Sequence, residues 1–130
     1  LKQLSDMRKS DKKLDNLLCA VLTNVCQKAI DHVSGFQWLT HTVDFSNYPN
    51  SIKVVCVFDT NESLNNFVDS EHNHYLTSLI HEQFESNHIR LKNVTKHVYY
   101  DSEQRCDEQN GGNWALRLTN DKRSSTLPSR

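Results

Sequence analysis

Residues 51–59, read as S-I-K-V-V-C-V-F-D, are apolar on both alternate faces, with Ile52, Val54, Cys56 and Phe58 on one and Val55 and Val57 on the other. A short β-branched run of this kind, bounded by Tyr48-Pro49-Asn50 and Asp59-Thr60-Asn61, predicts an interior strand covered on both sides. The rest of the chain must therefore supply two coverings. With 130 residues it has the length of one domain, able to bury a core without staples.

The candidate coverings follow from periodicity. Ser10 and Asp11 offer a cap and a first-turn acid, after which Leu14, Leu17, Leu18, Val21, Leu22, Val25, Ala29, Ile30 and Val33 recur at three- and four-residue steps. This predicts a long amphipathic helix with Gly35 just past its end. Residues 36–45 read as a strand, with Leu39, Val43 and Phe45 on one face and Phe36, Trp38, Thr40 and Thr42 on the other, joined to the central strand through a turn at 46–50. A second helical region is expected from Thr60 or Asn61 to about His88, with a break near Ser70. Residues 93–101 read as a third strand, and Gly111-Gly112-Asn113 turns the chain into a fourth at 114–118. The domain reading is a flexible arm at 1–9, a single α+β domain at 10–119 and a disordered basic tail at 120–130. Met7 suits a native start, with 1–6 an upstream remnant. The order α-β-β-α-β-β predicts a four-stranded antiparallel sheet with both helices on one face, a permuted ferredoxin-like fold with strands two and four at its centre.

Charge narrows the classes of partner. The formal net charge is -1, but residues 14–119 hold seven basic against thirteen acidic side chains. Such a body repels polyanions, which leaves Arg8, Lys9, Lys12 and Lys13 as a short basic arm, a weak candidate for nucleic-acid phosphates. No tight helix-turn-helix is expected, because two strands separate the helical regions. No apolar run reaches the roughly 20 residues of a membrane span. The four cysteines form no C-x-x-C pair. Cys19, Cys26 and Cys56 fall in apolar patterns and are expected to be buried and inert, with Cys106 beside Arg105 as the reactive thiol. This usage predicts reduced thiols in a cytoplasmic setting.

No catalytic signature stands out. His74, His81 and His88 recur at seven-residue steps on the solvent face of the second helical region, and only His81 with Glu85 has ligand spacing. Asp101, Glu103, Asp107 and Glu108 form an acidic cluster before Gly111, expected as an exposed hairpin. Three glycines, two of them adjacent, provide no phosphate-cradling loop, and neither cofactor nor resident metal is expected.

The runs G-F-Q-W-L-T-H (35–41), S-I-K-V-V-C-V-F-D (51–59) and G-G-N-W-A-L-R-L (111–118) resemble a small uncharacterised bacterial family, some members of which carry an automatic label as Fis-family transcriptional regulators. The resemblance spans residues 7–118. It implies a regulatory role, and the label implies DNA binding through a C-terminal helix-turn-helix, with no DNA-reading residue carried over. Two functional readings result. The first is a non-catalytic binding or regulatory module using the sheet face that two helices leave open, where Trp38, Lys53, Val55, Val57 and Arg117 would meet a protein partner or, as the commonest solution, a second copy in a homodimer. On this reading, Val57→Lys leaves the fold intact and dissociates the dimer. The second is a small metal-dependent hydrolase built on the acidic cluster with His81 or His97.

Overall fold

The computed structural model describes residues 8–119 and 127–128. Helix α1 (Lys9–His32) runs for 24 residues and buries Leu18, Val21, Leu22, Val25 and Ala29 on the stripe its periodicity predicts. It opens earlier than the Ser10 cap implies: Arg8 is the capping residue, without a side-chain cap hydrogen bond, so Arg8 and Lys9 belong to the helix start. Residues 1–7 and most of the 120–130 tail lie outside the described residues.

Strand β1 (Phe36–Thr42) pairs antiparallel with β2 (Lys53–Phe58), as expected. The register slips between Phe36, opposite Phe58, and Trp38, opposite Val57. This bulge inserts one residue at Gln37 and breaks the alternation. Phe36 therefore joins the helix-side core and not the Trp38 face on which unbroken alternation puts it. Trp38 and Thr40 stay on the far face, while Leu39 and His41 turn toward the helices.

The chain leaves β2 through α2 (Asn61–Val68) and α3 (Tyr75–Ser86), which are separated at the expected break. There the Ser70 hydroxyl donates to the Phe67 carbonyl at 2.8 Å, and the Asn73 amide donates to that of Val68 at 2.9 Å. These bonds satisfy carbonyls that the end of α2 leaves open. Strand β3 (Val98–Ser102) then lies parallel to β2, from Val54 opposite Val98 to Phe58 opposite Ser102. The sheet is thus mixed and three-stranded, in the order β1-β2-β3, and the four-stranded antiparallel permuted ferredoxin-like sheet is overturned. Leu127–Pro128 adds only a two-residue antiparallel pairing at the outer edge of β3.

The reason lies in the last third of the chain. Ser102 caps α4 (Glu103–Asn110) by accepting from Arg105 N, and Gly111 ends it at φ 58, in the left-handed region open to glycine. Asn113 then accepts from Leu116 N at 3.0 Å and starts α5 (Trp114–Thr119). The pattern Trp114, Leu116, Leu118 fits a strand, but Ala115, Leu116 and Arg117 are strong helix formers behind an asparagine cap. With no fourth strand to insert, β3 takes the open edge of β2 directly.

One face of the sheet, through Ile52, Val54, Cys56, Phe58, Val98 and Tyr100, packs into a single core with α1, α2 and α3. On the other face Val55 and Val57 are fully buried, and here α4 and α5 close over the sheet. Trp114 meets Trp38 edge to face, with ring centroids 4.8 Å apart, and both indole N–H groups donate to Glu103, one to each carboxylate oxygen at 2.7 Å. Asp101, buried on β3, receives two bonds from Arg117, Nε to Oδ2 at 2.6 Å and Nη2 to Oδ1 at 3.0 Å. Arg117 Nη1 also donates to Gln109 Oε1 and Asn110 Oδ1 at the end of α4. The open face of the sequence reading is therefore closed by the chain itself. Truncating one partner of a buried ion pair strands the other charge, at a cost of about 3–5 kcal/mol. Arg117→Ala should lose about that much in urea unfolding, while Thr119→Ala at the exposed end of α5 stays within about 0.5 kcal/mol of the parent.

Candidate functional site

On the helix side, a groove of about 480 Å³ opens between the end of α1, the length of α2 and the start of α3, lined by residues of all three. Its position follows from Gly35. With φ at 84, Gly35 turns the chain from α1 into β1 directly against the first turn of α2. A Cβ there would overlap the Ser63 side chain and press on Asp59 Oδ1 at 3.0 Å. Gly35 O also accepts from Asp59 N at 2.9 Å, so the two chain segments are tied as well as close. The Ser63 hydroxyl and the Thr60 N–H, which donate to Asp59, hold its carboxyl below the usual carboxylate range. Thr60 in turn caps α2 by accepting from Ser63 N at 3.0 Å.

The groove wall is aromatic with a polar fringe. His32 and Tyr75 face each other with ring centroids 5.9 Å apart, and Phe67 stands beside them. His32 Nδ1 lies 2.9 Å from the Lys28 carbonyl, which can only accept. That bond makes Nδ1 a donor, so Nε2 is the ring nitrogen left for another partner. Ser34, Ser63, Asn66 and Ser70 provide hydroxyls and an amide and His72 a second imidazole, while among the described residues no carboxylate, lysine, arginine or thiol lines the groove. Volume and character match a site for one small molecule. These residues form no motif in the sequence, although the dense Ser, Asn and His usage across 60–74 between two apolar helical runs marks a segment unlike the rest.

The sequence-predicted site residues do come together on one sheet face, but as structure. Trp38 and Val57 are register partners, Lys53 Nζ sits 4.5 Å from the Tyr99 ring centroid, and Arg117 is bound to Asp101. Val55 and Val57 have no exposed surface to offer a partner. The acidic cluster is no hairpin: Asp101 ends in the Arg117 pair, Glu103 holds two indoles, and Asp107 and Glu108 point to solvent from α4. His97 Nδ1 is 2.7 Å from the Ile52 carbonyl. His74, His81 and His88 are exposed, as the stripe predicts, with His74, His81 and Glu85 along a second, shallower groove. The hydrolase grouping is therefore not assembled.

Arg8, Lys9, Lys12 and Lys13 lie exposed at the start of α1. Against expectation, α4 and α5 do form two consecutive short helices joined by Gly111-Gly112-Asn113. Their one buried arginine, Arg117, faces the sheet, and the exposed side chains of α4 include Asp107 and Glu108, a poor match to phosphate. Among the described residues no helix is long and apolar enough to cross a membrane.

The thiols exchange roles relative to expectation. Cys106 is fully buried and Cys56 likewise, whereas Cys19 is exposed and Cys26 half-buried. Burial pushes the Cys56 and Cys106 thiols up, and burial with the Asp15 carboxylate pushes Cys19 up as well, so it is access to solvent that singles out Cys19. Cys19 lies one turn from Asp15 on α1, and both meet His41 of β1 in a group of potential metal donors. That i, i+4 spacing is legible in the sequence, but Cys19 also adjoins the apolar stripe that Leu18 and Leu22 occupy, which hides its exposure.

No family model, curated protein or solved structure matches the chain.

Native thiol titration should show one fast group, removed by Cys19→Ser, a slower one at Cys26, and silence at Cys56 and Cys106 until unfolding. A fast phase that survives Cys19→Ser would contradict the assignment.

Proposed function

We propose that this chain is a non-catalytic binding module, of regulatory type, that holds a small neutral ring-bearing ligand in the groove between α1, α2 and α3. The observation that carries this reading is the aromatic triad His32, Phe67 and Tyr75 beside a fringe of hydroxyls and an amide, with no charged nucleophile or acid pair along it. Flat rings stack on such walls, and with Nδ1 turned to the Lys28 carbonyl, His32 leaves its Nε2 edge for a polar group of the ligand. A ring with donors at its edge suits the site better than an anion, for which the described lining offers no lysine or arginine. The groove also joins three helices whose ends meet there, so an occupant would bear on their packing.

Saturation-transfer NMR with indole, phenol and adenine as probes tests this. At least one should bind, and Asn66→Trp should reduce that binding ten-fold or more. Asn66 is exposed on α2, so a larger side chain there fills the groove without removing core packing. Absence of binding by all three, or binding that survives Asn66→Trp, would contradict the reading.

A further inference from the structure

A different part of the molecule holds a set of side chains that neither the core, the groove nor the closing helices use. Asp15 and Cys19 are four residues apart on α1, so they leave the helix on one side, a turn apart. His41 lies opposite Val54 on the same face of β1 as Leu39, and so points to the helix side and toward them. His41 Nε2 stands 3.0 Å from Asp15 Oδ1, and the carboxylate oxygen, thiol sulfur and imidazole nitrogen all lie within 4.8 Å of one another. The group is reachable from solvent, with Cys19 exposed and Asp15 and His41 half-buried.

From this convergence we infer that Asp15, Cys19 and His41 form a binding site for a borderline-soft divalent transition-metal ion, zinc above all. The donor set decides the class of ion. Calcium takes about six to eight oxygen ligands, and magnesium demands an octahedron of oxygens, whereas this site offers one carboxylate. A thiolate beside an imidazole selects zinc and its neighbours. In a zinc tetrahedron with metal–ligand distances of about 2.0–2.3 Å, donors stand roughly 3.3–3.8 Å apart. A pair at the 4.8 Å limit needs to close by roughly 1–1.5 Å and the 3.0 Å His41–Asp15 pair to open slightly, within reach of side-chain rotation at the exposed Cys19 and the half-buried Asp15. Binding replaces the His41–Asp15 hydrogen bond by two bonds to the ion and releases the protons of the thiol and of Nε2 where it carries one. Three protein donors leave a fourth position for water. The ion would tie the N-terminal half of α1 to β1, the outer strand of the sheet.

The rival explanation is a surface His–Asp pair that happens to lie near a cysteine. Cobalt titration of the reduced, untagged full chain separates the two. The site predicts a thiolate-to-cobalt charge-transfer band that saturates at one equivalent, is displaced by one equivalent of zinc, disappears in Cys19→Ser and persists in Cys26→Ser. It also predicts that zinc chloride raises the Tm of the parent and raises it less in His41→Ala, while magnesium chloride leaves both unchanged. No band at one equivalent, or a band that survives Cys19→Ser, would overturn the site and leave the ion pair alone. Neither outcome bears on the groove.

Discussion

The guanidinium of Arg117, buried against Asp101, fixes three elements at once: β3 through the carboxylate, α5 through its own backbone, and the end of α4 through Gln109 and Asn110. Ion pairs taken out of water lose several kcal/mol per charge, which is offset only where geometry is two-pronged and the remaining donors are satisfied. Both conditions hold here. The pair matters because β2 is apolar on both sides and three helices can dry only one of them. Burying Val55 and Val57 is worth roughly 1.5–3 kcal/mol each, against a total stability of about 5–15 kcal/mol for a domain of this kind. A chain that left that face wet would forfeit a large part of its margin. The Trp38–Glu103–Trp114 cluster acts beside the pair, with two indole N–H groups consuming both oxygens of one carboxylate.

Much of this was legible. The three-and-four spacing of Leu18, Leu22 and Val25 gives α1, the alternation of 52–58 gives β2, and Ser70 breaks the second helical region where the apolar spacing lapses. What failed did so for identifiable reasons. Trp114, Leu116 and Leu118 satisfy a two-residue period as well as the rim of a short helix, and five residues are too few for periodicity to decide. The bulge at Gln37 reverses the facing of Phe36 without any glycine or proline to announce it. The direction of β3 depends on whether another strand fills the edge of β2, so one wrong element changed the topology. Acids at 101 and 103 look solvent-bound in a sequence, because their partners Arg117, Trp38 and Trp114 lie in other elements.

The candidate sites were harder to see for the same reason. Each is assembled from elements that sequence keeps apart. The groove exists because Gly35 lets the end of α1 approach Ser63, a contact that any side chain at 35 would block. The Asp15, Cys19 and His41 group exists because β1, in its pairing with β2, lays His41 on the helix side against α1. Both lie on the side of the sheet covered by α1, α2 and α3, while Trp38, Val55, Val57 and Arg117, which looked functional in the sequence, lie on the other side and hold it closed. An exposed tryptophan beside two valines invites a partner, and the chain meets that need with its own C-terminal helices.

The closure of the second face by the chain itself is tested most directly by Val57→Lys. A lysine at a fully buried position without a partner is among the costlier substitutions a domain can carry. The variant should unfold or lose most of its Tm while the parent remains monomeric in sedimentation at high concentration. A Val57→Lys protein that keeps the parent Tm and separates from a dimer into folded monomers would show that this face is an interface between copies, and would contradict the account.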